Sequence, residues 1–77
     1  MRVTKEQVRA ARALLGWSRP RLALESGVSV RTLARFEGGE CEIRDGLVIA
    51  ACKALISGGV QFIPENGGGF GVRIRRG

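Results

Sequence analysis

The sequence predicts a mainly helical domain in which four short helices are followed by a C-terminal β-hairpin. Three observations predict it. Apolar residues recur at helical spacing, glycines interrupt that pattern at 16, 27, 38–39 and 58–59, and the period switches to strand-like alternation in VQFI and FGVRIR. With 77 residues, 44% hydrophobic and 26% charged, the chain has the length for one core and a globular composition.

Each element has its own signal. Thr4 followed by Gln7 is a capping-box pattern, and Val8, Ala11, Leu14 and Leu15 continue as an inward face until Gly16, so the first helix is expected over residues 5–15. Ser18 caps a second helix, and Pro20 falls in its first turn, where a missing N–H is harmless. Leu22 and Ala23 face inward and Gly27 ends this helix after barely two turns. Ser29 caps the third, whose inward residues are Val28 just before it, then Leu33 and Phe36, before Gly38 and Gly39 break the chain. Asp45 is expected to cap a fourth helix over 46–57, with a broad apolar face of Leu47, Val48, Ala51, Cys52, Leu55 and Ile56. Strands are expected at 60–63 and 70–75, joined through PENGGG with its Asn-Gly turn.

A short helix, a glycine turn and a second short helix, together about residues 19–37, form a helix-turn-helix. Ala23 is small where the helices cross, Gly27 supplies a positive φ, and Leu33 and Phe36 pin the second helix inward. That leaves Val30, Arg31, Ala34 and Arg35 facing outward on a convex helix. Such a helix fits the major groove of B-DNA, where arginine can donate two hydrogen bonds to guanine.

Charge points the same way. Thirteen basic against seven acidic residues give +6. Residues 1–36 hold eight basic and two acidic, a net of +6, while residues 37–77 hold five of each. A basic half on a small domain implies a polyanion, nucleic acid being the commonest. A solvated basic face is the plain alternative.

The run LGWSRPRLALESGVSVRTLARFEGG resembles the phage-repressor family of helix-turn-helix transcription regulators, the lambda-repressor-like or Cro-like class. The resemblance extends from about Gln7 to Leu55. It implies base reading by Val30, Arg31 and Arg35, with Ala34 on the same face. It implies phosphate binding by Thr32, by Ser18, Arg19 and Arg21 at the start of the second helix, and by the loop at Gly38 and Gly39. It also implies an ion pair between Arg12 and Glu37. Arg19-Pro20-Arg21 stands where most relatives carry Gln or Glu, which favours phosphate over base contact there. The hairpin stands where the family usually has a fifth helix.

The function expected is therefore sequence-specific binding of double-stranded DNA by a transcription regulator, read as a repressor. An antitoxin-type module that binds both a protein partner and its own promoter is the alternative. RNA binding has less support, since no aromatic-studded sheet is evident. An enzyme is not expected: histidine and tyrosine are absent, and neither cysteine has a basic partner implied by position. NGGGFG lacks the Lys-Ser/Thr of a phosphate-binding P-loop and reads as a turn. Cys41 and Cys52 read as free thiols, no metal or cofactor is expected, and Trp17 reads as packing at the corner of the first two helices. No apolar run reaches the roughly 18 residues of a membrane span, so the expected location is cytoplasmic. A homodimer is expected, because one helix-turn-helix reads only a few base pairs. Its contact is expected on the hairpin face of Val60, Phe62, Phe70, Val72 and Ile74, with help from the fourth helix. The rival is that this face covers the chain's own first and fourth helices.

Overall fold

Local capping sets the element boundaries. In the computed structural model, which describes residues 3–39, 45–64, 67–69 and 71–75, α1 spans Lys5–Leu15, α2 Arg19–Ser26, α3 Val30–Glu37 and α4 Asp45–Ser57. An antiparallel hairpin follows, β1 at Val60–Ile63 and β2 at Gly71–Ile74. The Thr4 hydroxyl accepts from the Gln7 amide at 3.1 Å, and Gln7 Oε1 accepts from the Thr4 amide at 2.9 Å, which completes the capping box. The Ser18 and Ser29 hydroxyls each accept from an amide three residues on, that of Arg21 and that of Thr32. Gly27 closes α2 at φ +77°, and a Cβ there would meet nothing within 4 Å. Glycine is needed at that turn for backbone conformation, not for space.

Two described boundaries differ slightly from expectation: α4 includes Asp45, where 46–57 was expected, and β2 ends at Ile74, one residue short of 75. Phe70, Cys41 and the Glu65-Asn66 part of the turn lie outside the described residues.

The core draws on all four helices and the hairpin: Val8 and Ala11 of α1, Leu22 of α2, Val28, Leu33 of α3, Ala51, Ala54 and Leu55 of α4, and Val60 of β1. Leu15, Trp17, Ala23 and Phe36 pack around it. Leu14 is 46% exposed, because it falls about a quarter-turn off the Val8–Ala11–Leu15 stripe. Leu47 and Ile56 are also exposed, so the buried face of α4 is narrower than its apolar content suggests. Gln7 is buried in their place. Besides its capping role, its Nε2 donates to the carbonyls of Ile63 at 3.1 Å and Gly71 at 3.0 Å. One side chain thus caps α1 and ties down the end of the hairpin.

Register places Val60 opposite Ile74 and Phe62 opposite Val72 on one face. On the other face Arg73 Nε donates to Gln61 Oε1. The apolar face is turned onto the chain's own helices, as the rival reading expected: Val60 is fully buried, and Phe62 and Val72 pack against the core. Val60 is thus taken up by the chain's own core and Phe62 and Val72 lean on it in part, because a two-stranded sheet needs a packed face. Ile74, at 36% exposure, is what the face leaves outside.

Cys52 is a buried free thiol, and burial pushes its pKa up to about 11. It should resist alkylation in the folded state: in a Cys41→Ser background, iodoacetamide labelling at pH 8 should track unfolding, and rapid labelling would show the site to be open. Gln7→Ala should cost about 2–3 kcal/mol in urea unfolding, against about 1 for Thr4→Ala, since both break the box but only the first also frees two hairpin carbonyls. Equal losses would remove the hairpin tie from the account.

Candidate nucleic-acid interface

Helix α3 is committed on one side and open on the other. Leu33 is fully buried, Glu37 is 1% exposed, and Phe36 packs on the core. On the other side of the axis, Val30, Arg31 and Arg35 are exposed and Ala34 is half-buried. Arg31 and Arg35 have no ion-pair partner among the described residues. The four residues expected to read bases therefore share one outward face.

The anchor of this arrangement is the Glu37 carboxylate, whose side chain is fully buried. Arg12 of α1 grips it with a fork: Nε donates to Oε2 at 2.8 Å and Nη2 to Oε1 at 2.6 Å. The same guanidinium donates from Nη1 to the Trp17 carbonyl at 3.0 Å. One arginine therefore joins α1, the α1–α2 corner and the end of α3. Arg19, the first residue of α2, brings its Nε to 3.4 Å from Glu37 Oε1. The Arg12–Glu37 pair is as expected, and Arg19 is a third member that sequence reading missed.

The residues expected at phosphates divide into those that face outward and those already engaged. Ser18 is exposed, with its hydroxyl accepting from Arg21 N–H, and Arg19 is 43% exposed. The Thr32 hydroxyl accepts from the Ser29 hydroxyl at 2.8 Å, which leaves its own proton available to an acceptor. Arg21 stands apart. Its Nε pairs with Glu25 at 2.9 Å, its guanidinium lies 4.7 Å from the centre of the Trp17 ring, and it lines the cleft between α2 and α4. Glu25 four residues on was the available signal for this. Trp17 packs as expected, with its ring edge against Gly58.

Gly38 and Gly39 are exposed, as expected, and their amides donate to the carbonyls of Ala34 at 2.9 Å and Phe36 at 3.1 Å, which closes the end of α3. Beside them stands a cation that sequence reading missed. Lys5 Nζ would lie 2.7 Å from a Cβ on Gly39, whose φ is +74°. Glycine is required there by conformation, since the mobile end of Lys5 could move aside. No sequence pattern links residues 5 and 39; only the packing of α1 on α3 brings them together.

The open face of α3 thus carries Arg31 and Arg35, and two further cations, Arg19 beside Glu37 and Lys5 beside Gly39, stand near the end of the helix. No group of three metal-ligating side chains occurs among the described residues. No protein-family model matches the chain, and no curated protein matches it significantly.

Arg12→Met or Glu37→Gln alone should each cost about 3–5 kcal/mol, since each strands a desolvated charge or its partners. The double variant should lose clearly less than the sum in urea melts. Additive losses would mean that the two side chains are not coupled.

Proposed function

We propose that the protein is a sequence-specific DNA-binding transcription regulator that reads the major groove with α3. The observation that carries this reading is the division of α3 into a buried face of Leu33 and Glu37 and an open face carrying Arg31 and Arg35, one helical turn apart. A helix presented this way can enter the groove with two guanidinium forks aimed at base edges, while Arg19 and Lys5, near the end of α3, meet backbone phosphates. The net charge of +6 adds a long-range attraction to any duplex. The reading agrees with the phage-repressor resemblance, and it implies action as a repressor at operators, in the cytoplasm.

A single α3 reads a few base pairs, so the regulator acts as a two-fold dimer on half-sites about 10 base pairs apart. Its contact is the hairpin, where Ile74 is exposed, Phe62 and Val72 are partly so, and the outer edge of β2 is open to a second copy. Among the described residues no helix is long and apolar enough to cross a membrane.

Selection from random duplexes should yield a preferred site with two-fold symmetry. On that site Arg31→Ala and Arg35→Ala should each lose about 1–3 kcal/mol and relax the choice of base at one position per half-site. If both variants bind the selected site like the parent, α3 is not the reading element. Sedimentation of the protein on the selected duplex should give two copies per site, and one copy at saturation would remove the dimer.

A further inference from the structure

We infer that Glu37 is a positioning residue for DNA binding: it holds Arg19 by Nε so that the two terminal nitrogens of that guanidinium are presented to a backbone phosphate. This rests on the DNA-binding reading above. The geometry has three parts. Glu37 is fully buried and its charge is balanced by Arg12, all of whose guanidinium nitrogens are used inside the fold. Arg19 approaches Glu37 Oε1 with Nε at 3.4 Å, yet its side chain is 43% exposed. The described residues supply no partner for its Nη1 and Nη2.

The chemistry of the guanidinium makes this arrangement useful. Arginine has donors on two edges of one rigid plane, so it can meet a carboxylate with one edge and a phosphate with the other. Two arginines on one carboxylate keep a net charge of +1, so the outward edge remains attractive to an anion. Holding the side chain in advance also lowers the entropy lost on contact, the usual advantage of preorganisation. A lysine in the same place has the charge but only one nitrogen, and it cannot serve Glu37 and a phosphate with separate edges.

The test uses Arg19→Gln and Arg19→Lys in the full chain, with fluorescein-labelled random-sequence duplex DNA and anisotropy titrations over a range of salt. Arg19→Gln should weaken binding about tenfold, the scale of one charge-assisted hydrogen bond, and flatten the log–log salt slope by about 0.9. Arg19→Lys should keep the parental slope, because the charge is retained, but recover less than about half of the lost affinity on a logarithmic scale. Full rescue by lysine would overturn the inference, since charge alone would suffice. No loss in Arg19→Gln would overturn it too, while leaving DNA binding through α3 intact. Absence of salt-dependent binding by the parent protein would overturn the DNA-binding reading itself. In NMR spectra the Arg19 Nε–H signal should not move when DNA is added, because the ion pair with Glu37 is kept. Its displacement on binding would show Glu37 to be a rival of the phosphate and would likewise overturn the inference.

Discussion

A buried carboxylate is the constraint on which the arrangement of α1, α2 and α3 depends. Glu37 sits at the last residue of α3 with its side chain removed from solvent, and a charge in that position is stable only if it is neutralised and hydrogen-bonded. Arg12 meets both needs with a bidentate fork and then reaches the backbone at Trp17. The consequence is geometric more than energetic, because replacing a buried pair by apolar side chains often leaves stability unchanged. The fork fixes where α3 ends relative to α1 and where the chain turns into α2. The outward direction of Arg31 and Arg35 follows from that.

The hairpin solves a different problem. Four helices of 11, 8, 8 and 13 residues are short, and helices of this length owe their stability to packing rather than propensity. The hairpin covers the α1–α4 side with Val60, Phe62 and Val72, and its end is tied to α1 through Gln7. The Gln7 amide is an efficient choice for that position. Its carbonyl completes the helix cap and its NH2 group satisfies two strand carbonyls, so a polar residue is buried with its hydrogen bonds made.

Much of this was legible in the sequence, for local reasons. Capping residues act over three positions, so Thr4, Ser18 and Ser29 marked the helix starts, and Val28, Leu33 and Phe36 marked the inner side of α3. Strand alternation marked Val60, Phe62, Val72 and Ile74 as one face, while their pairing comes from the fold. The Arg12–Glu37 pair joins residues far apart in the chain and was visible only through a resemblance. Contacts of the same kind without such a guide stayed hidden: Arg19 on Glu37, Lys5 beside Gly39, and Gln7 on the hairpin. Local partners were hidden as well: Arg21 pairs with Glu25 and lies over Trp17, and the amides of Gly38 and Gly39 close the last turn of α3.

A fixed inner frame carries an open basic face, and on the proposed function DNA meets that face and no other. Amide chemical-shift mapping during titration with a duplex selected for binding tests this most directly. The shifts should concentrate at residues 29–35 of α3 and at Ser18 and Arg19, with a smaller set near Lys5 and Gly39, while the solvent face of the hairpin at Gln61 and Arg73 stays unchanged. Shifts centred on the hairpin or on the α2–α4 cleft, with α3 unperturbed, would contradict the account.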